Sequence, residues 1–271
     1  MWQRFSTILF VLVIISLGTL VNDVPASTLQ QGGLWITHGP RGGRALALEV
    51  SPAFASDGVS FSGEWLTSYR STESGIGIVR STDGGQTWAV SDAGTEDVFY
   101  ATAVHDYAFS DAFSSDHTVF AATWGGLFKS LDGGGEWNWL ESAYEGPPGG
   151  YTSVAAAPDY SQSKQVLAGD MGGLLRSNDG GDSWERFSEV GAAADIVYAP
   201  GSGENKTIFC SDGFSLYRSQ DAAQSFTSVL TAPVTSLAVS PAFAVDEMVF
   251  AAGGAHVYAS TDGGTTWISS T

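Results

Sequence analysis

The stretch STDGGQTW, which runs from Ser81 to Trp88, decides the fold because four variants of it follow along the chain. They read SLDGGGEW from Ser130, SNDGGDSW from Ser177, SQDAAQSF from Ser219 and STDGGTTW from Ser260. Successive copies of this Ser-x-Asp-x-Gly-x-x-Trp motif, called the box, start 49, 47, 42 and 41 residues apart. Repeats with this period are typical of solenoids and propellers, in which each repeat is one supersecondary unit.

A second repeated landmark lies upstream of each box. It reads SPAFASDGVSF from Ser51, SDAFSSDHTVF from Ser110, APDYSQSKQVL from Ala157, APGSGENKTIF from Ala199 and SPAFAVDEMVF from Ser240. In four units the landmark starts 20 residues before the box, whereas in the first unit it starts 30 residues before it. The difference indicates an insertion between Phe61 and Ile78.

Each unit contains four short strand signals. In the last unit they are SLAVS, MVFAA, HVYAS and TTWIS, with turn residues and nothing helical between them. Four antiparallel strands at this period are typical of a propeller blade. The predicted fold class is all-β: a β-propeller of about five four-stranded antiparallel blades, or six if residues 34–37 (LWIT) and the last strand form a partial blade that closes the ring.

The boxes predict tight turns held by their own aspartates. The carboxylate can accept hydrogen bonds from backbone N–H groups of the turn, and Gly adopts the positive φ that the turn requires. We therefore assign a structural role to Ser81, Asp83, Gly85, Trp88, Ser130, Asp132, Gly134, Trp137, Ser177, Asp179, Gly181, Trp184, Ser219, Asp221, Phe226, Ser260, Asp262, Gly264 and Trp267. The fourth box has Ala222 and Ala223 in place of glycines, so we expect it to form the least stable hairpin.

The residue before each box is also repeated. It is Arg80, Lys129, Arg176, Arg218 and, in the last unit, Ala259. Because this position ends a predicted strand in every unit, we assign these four cations to the architecture of the fold.

Composition excludes several classes of function. The chain of 271 residues has a net charge of -18, which repels phosphate backbones, so no nucleic acid partner is expected. The four histidines show no metal-ligand spacing, and neither a metal nor a cofactor is predicted. The single cysteine, Cys210, permits no disulfide within the chain.

The first 26 residues are predicted to be a signal peptide. Arg4 precedes an apolar run that is too short for a comfortable membrane span, and Val24 and Ala26 suit a cleavage site. Cleavage would leave residues 27–271 as one propeller domain, secreted or periplasmic and without membrane insertion. An uncleaved N-terminal membrane anchor is the alternative.

With these five box motifs the chain resembles the Asp-box, or BNR, repeat proteins, and the resemblance covers residues 33–271. This group includes sialidases, xyloglucan-cleaving glycosidases, sortilin-type receptors and photosystem II assembly propellers. The resemblance implies the blade and not the function, because one fold hosts unrelated functions. A sialidase-like site would need three arginines that clasp a carboxylate, yet outside the signal and the pre-box positions only Arg41, Arg44, Arg70 and Arg186 are available. A glycosidase needs only two carboxylates, which so acidic a chain can supply, but no spacing singles out a pair and no catalytic residue is assigned.

The ligand surface is predicted on the face opposite the boxes, where the turns between second and third strands lie. The inserted loop of the first unit carries aromatics and an arginine, which are typical interface anchors. Candidate ligand-binding residues are Trp65, Tyr69, Arg70, Trp124, Tyr144, Tyr151, Asp170, Asp212, Phe214, Arg41 and Arg44, with Met171 at an equivalent tip. The alternative for the aromatic side chains is packing of loop against loop.

Three functions follow from this reading of the sequence. The leading one is a non-enzymatic propeller that binds a protein or glycan partner. The rival is a small glycoside hydrolase or sialidase-like enzyme that acts on extracellular glycans. In the third the propeller is a scaffold or spacer in a larger assembly.

Overall fold

The computed structural model describes residues 44–65, 77–95, 103–140, 143, 150–187, 189–201 and 203–270, with backbone alone at Arg44, Glu64, Trp65 and Asn205. Within this part of the chain, twenty strands form five separate four-stranded antiparallel sheets, each from one continuous stretch of sequence. The predicted all-β propeller of about five blades is confirmed.

The strands follow one another within each blade in chain order. The first blade contains β1 (Arg44–Val50), β2 (Ser60–Trp65), β3 (Ile78–Ser81) and β4 (Ala89–Val90). The second contains β5 (Val104–Phe109), β6 (Val119–Thr123), β7 (Gly126–Ser130) and β8 (Asn138–Trp139). The third contains β9 (Ser153–Ala156), β10 (Val166–Asp170), β11 (Gly173–Ser177) and β12 (Glu185–Phe187).

The remaining two blades have the same order. The fourth contains β13 (Asp195–Tyr198), β14 (Ile208–Ser211), β15 (Ser215–Ser219) and β16 (Thr227–Thr231). The fifth contains β17 (Ser236–Val239), β18 (Val249–Gly253), β19 (His256–Ser260) and β20 (Ile268–Ser269).

The expectation of units without helix is wrong at one position. Four blades have a one-turn helix between the first and second strands: α1 (Phe54–Asp57), α2 (Phe113–Asp116), α3 (Tyr160–Ser163) and α4 (Phe243–Asp246). The fourth blade has a 3₁₀ turn there, Gly203–Asn205. A helix of four residues shows no 3.6-residue periodicity, which explains why the pattern of apolar residues did not predict it.

The core lies between consecutive blades. Phe61 of the first blade packs against Tyr107 and Trp137 of the second, with ring centroids 5.6 and 5.9 Å apart. Phe120 packs against Tyr160 of the third blade in the same way, and Phe209 of the fourth packs against Phe243 of the fifth. Each of the first four blades therefore buries its forward face, the one turned to the next blade, against its successor.

Each box forms the turn between the third and fourth strands. In the first box the Ser81 hydroxyl donates to Oδ1 of Asp83 at 2.8 Å and accepts the Gly85 N–H at 2.9 Å. Asp83 also accepts the backbone N–H and the hydroxyl of Thr87. The same serine-to-aspartate bond occurs in the other four boxes. Every box aspartate is thus occupied in holding its own turn.

These hydrogen bonds favour the ionised carboxylate. Bonds from the Thr87 hydroxyl and backbone lower the pKa of Asp83 to about 2. Burial acts in the opposite direction on the pKa of Asp179, but bonds from Ser183 and Ser177 outweigh it and lower that pKa to about 2 as well.

The fourth box adopts the same turn without glycine. Ala222 and Ala223 have φ of 58° and 64°, in the left-handed region that glycines occupy in the other boxes. A side chain at such a φ is strained, because Cβ crowds the following carbonyl. The strain gives a physical basis for the expectation that this hairpin is the least stable.

The pre-box cations connect consecutive blades. Lys129 Nζ donates to the Gly180 carbonyl at 2.8 Å, and Arg176 Nη1 donates to the Ala223 carbonyl at 2.6 Å. Arg218 Nη1 donates to the Gly263 carbonyl at 2.7 Å. Each of these cations therefore holds the box of the following blade.

Candidate binding face

The two ends of the propeller differ in composition. At the box end, four boxes lie against the one-turn helix of their own blade; for example, the Gly84 N–H donates to the Gly58 carbonyl just after α1. Because the strands are antiparallel, the turns between second and third strands lie at the opposite end. We call that end the tip face and define it by residues 124–125, 171–172, 213–214 and 254–255.

Three large apolar side chains project from consecutive tips. The exposed fraction is 44% for Trp124, 62% for Met171 and 78% for Phe214, on the second, third and fourth blades. The Trp124 ring lies beside His105, with centroids 6.0 Å apart. Three such residues in the same turn of consecutive repeats form an apolar row on a chain with a net charge of -18.

Polar side chains at the strand ends fix the conformation of these tips. The Thr123 hydroxyl donates to the Gly126 carbonyl across the turn that carries Trp124. Asp170 Oδ1 accepts the Gly172 N–H, and Asp212 Oδ1 accepts the N–H groups of Phe214 and Ser215. The apolar residues are therefore presented on turns that are already formed, which lowers the entropic cost of binding.

Asp170 and Asp212, both candidate ligand-binding residues, are occupied by protein partners. Arg186 binds both oxygens of Asp170, at 2.7 and 2.8 Å. Asp212 accepts the Tyr217 hydroxyl at 3.0 Å. Burial and this contact with Asp212 raise the pKa of Tyr217. Both carboxylates hold their tips in place, a role that the spacing of the acids did not reveal.

The other candidates are distributed as follows. Tyr151 is buried between the second and third blades, where its hydroxyl donates to the Ala143 carbonyl, so it does not belong to the exposed row. Arg44 and Trp65 are paired in the antiparallel register of β1 and β2, at the tip end of the first blade. Arg41, Tyr69, Arg70 and Tyr144 lie outside the described residues.

A polar cavity of about 110 Å³ lies among the inner strands of all five blades. Its lining includes Glu49, His105, Asp106 and Asp195. Asp106 accepts the Val154 N–H and Asp195 accepts the Leu237 N–H, each from the following blade. Burial lowers the pKa of His105, which favours its neutral form. The cavity is smaller than the roughly 300 Å³ at which small-molecule sites begin.

The described side chains do not assemble an arginine triad. Arg186 is paired with Asp170, while Arg176 and Arg218 donate to box carbonyls. The same part of the chain contains no group of three or more His, Cys, Asp or Glu residues that could hold a metal. Within it, no helix has both the length and the apolar character needed to cross a membrane.

The chain matches no protein-family model and no curated protein sequence. Its fold is similar to that of an ancestral GH74 enzyme, with a TM-score of 0.62 and 16% identity over 84% of this chain and 31% of that one. It is also similar to the GH74 xyloglucanase from Xanthomonas campestris, with a TM-score of 0.60 and 17% identity over 83% of this chain and 38% of that one. For a chain of a nidogen–laminin complex the TM-score is 0.56 and the identity 11%, over 83% of this chain and 79% of that one.

All of these neighbours share a β-propeller fold with this chain. The chain spans only 31% and 38% of the length of the two GH74 enzymes. At these identities the likeness shows the fold alone, and propellers of this kind include both enzymes and members of protein complexes.

Proposed function

We propose that this chain is an exported propeller of the Asp-box type that binds a protein or a glycan through its tip face. The observation that carries the proposal is the row of exposed Trp124, Met171 and Phe214 on three consecutive tips. Large apolar and aromatic side chains on preformed turns are the anchors that dominate binding energy at interfaces. A net charge of -18 favours such partners over nucleic acids.

Two further observations support binding over catalysis. The central cavity is small, and two of its carboxylates are bound to the backbone of neighbouring blades. Among the arginines available for a sialidase-like triad, Arg186 has a described side chain, and that side chain is paired with Asp170. Export is supported by the signal-like sequence of residues 1–26.

The test measures binding to an oligosaccharide array and, by cross-linking, to the exported proteins of the producing cell. We expect Trp124→Ser and Phe214→Ser each to weaken the binding found for the native chain by about tenfold or more. Val245→Ser is the matched control, because Val245 is an equally apolar and 89% exposed residue in α4 at the box end. Equal losses in all three variants, or none in the tip variants, would refute the proposal.

The rival function is hydrolysis of a glycan at the central cavity. One observation favours it: Glu49, Asp106 and Asp195 line the same cavity, and glycosidases act through two carboxylates. Activity on a panel of glycosides that Glu49→Gln abolishes, with an unchanged melting temperature, would establish this function. We expect no such activity.

A further inference from the structure

The fifth blade exposes an apolar sheet surface. The register pairs Phe250 with Ala259, Ala252 with Val257 and Ala259 with Ile268, so these five residues lie on one side of the sheet. We call this side the terminal face. Phe250 is 37% exposed, Val257 is 43% exposed and Ile268 is largely exposed.

The equivalent positions of the other blades are fully buried. Phe250 corresponds to Phe61, Phe120, Leu167 and Phe209, and Val257 corresponds to Ile78, Leu127, Leu174 and Leu216. Those residues pack against the following blade, whereas no blade follows the fifth among the described residues. The terminal face therefore keeps the apolar pattern of a covered surface.

The terminal face is also more apolar than the covered faces. Ala259 replaces the pre-box cation of the other four blades. Ile268 stands where the other blades have Ala89, Asn138, Glu185 and Thr227. A repeat that ends an array against water carries a polar outer face, so these two changes argue for a surface that is covered.

The first blade supplies the other wall of the same space. Leu48 on β1 is 43% exposed, although its counterparts Tyr107, Val154, Ile196 and Leu237 are all buried. The inner strands of all five blades line one central cavity, so the blades are arranged around it, and the face of the first blade turned away from the second and the terminal face are the two ends of this arrangement. Each wall therefore exposes apolar residues at positions that are buried in the other blades.

We propose that residues 34–37 (LWIT) occupy this space and pack on the terminal face. The segment is tethered beside the site, because β1 begins at Arg44 and is itself one wall. The ten residue steps from Leu34 to Arg44 span up to about 33 Å when extended, whereas a four-stranded blade is only roughly 15 Å wide.

Charge favours this occupant over a second copy of the chain. Residues 27–43 contain Arg41 and no acidic residue, so the segment is not repelled by a body with strong negative charge. Two copies that each carry a net charge of -18 repel one another. Leu34, Trp35 and Ile36 supply apolar side chains that match the face.

The test is disulfide trapping in the full chain. The background is Cys210→Ala, which introduces the residue found at the equivalent Ala121, Ala168 and Ala251 and removes the native thiol. Leu34→Cys, Trp35→Cys and Ile36→Cys are each combined with Val257→Cys. A disulfide requires Cα atoms within about 7 Å, so it reports direct proximity. Val257 is already part-exposed, so the substitution leaves the core intact.

We expect one or more of the three pairs to form an intramolecular disulfide in at least half of the molecules under mild oxidation. The matched control replaces Val257→Cys by Leu131→Cys, an exposed apolar position in the second box, and should form none. Disulfide-linked dimers through position 257 would overturn the proposal in favour of a second copy. Free thiols in all three pairs would overturn it outright.

A second measurement does not depend on new cysteines. Replacing Leu34, Trp35 and Ile36 by Ser should raise amide hydrogen exchange in β18 and β19 by about tenfold or more, because their cover is removed. Exchange in β10, two blades away, should not change. Equal exchange in β18 and β19 of both proteins would contradict the proposed packing.

Discussion

Replacing Ala222 in the fourth box by Gly should stabilise the protein. Ala222 has a φ of 58°, and a side chain there costs roughly 1–2 kcal/mol. Glycine removes this cost but gives the unfolded chain more freedom, which costs about 0.5–1 kcal/mol. The expected net gain for Ala222→Gly is therefore about 0.5–1 kcal/mol, or a melting temperature higher by roughly 1–3 °C.

The first box offers the reverse experiment. Gly84 occupies the position of Ala222 with a φ of 74°, and a Cβ added there meets no atom within 4 Å. Gly84→Ala therefore isolates the backbone strain and should destabilise the protein by about 0.5–1 kcal/mol. Gly134→Ala should cost more, since its Cβ would lie 2.5 Å from the Phe61 ring.

Thermal and urea unfolding of the three variants and the native chain measure these changes. The neighbouring Ala223→Gly should have almost no effect, because the relief of its strain is offset by loss of a buried methyl worth about 0.8 kcal/mol. A destabilised Ala222→Gly together with a neutral Gly84→Ala would refute the argument, since it would mean that left-handed φ carries no cost in these turns.

Two further changes test the carboxylates. The free energy of unfolding should fall as the pH is lowered from about 4 toward 2. In the folded protein the pKa of Asp83 and Asp179 is about 2, below the value near 3.9 in the unfolded chain. The two carboxylates therefore stabilise the fold above the unfolded pKa and lose this contribution as they are protonated. Melting curves of Asp179→Asn should show a shallower loss over this range, and an unchanged slope would contradict this account. Asp195→Ala should cost about 1–3 kcal/mol by urea unfolding, because it removes the acceptor of the Leu237 N–H between blades. Asp111→Ala, which removes exposed bonds to Ser161 alone, should cost clearly less, and equal costs would argue against a special role for Asp195.

The repeat made the architecture readable from the sequence. A box every 41 to 49 residues predicts both the number of blades and the strands that flank each turn. The apolar tips were found in the same way, because Trp124, Met171 and Phe214 lie in the turn between the second and third strands of their repeats. Periodicity of this kind needs no knowledge of long-range contacts.

Contacts between blades were not predictable. Asp106 and Val154 are 48 residues apart, and nothing local in the sequence shows that this carboxylate reaches the next blade. Asp170 and Asp212 also resembled free surface acids, although Arg186 and Tyr217 of their own blades hold them at the tips. Tyr151 resembled a rim aromatic but is buried. In each case the partner across space decides the role.

The cations before the boxes give the array a direction. Each donor precedes its acceptor in the chain, by 51 residues for Lys129, 47 for Arg176 and 45 for Arg218. Each of these three hydrogen bonds can therefore form only after the next blade has been synthesised. If an internal blade were duplicated or lost in evolution, a cation at this position would still have a box ahead of it, whereas loss of the fifth blade would remove the acceptor of Arg218.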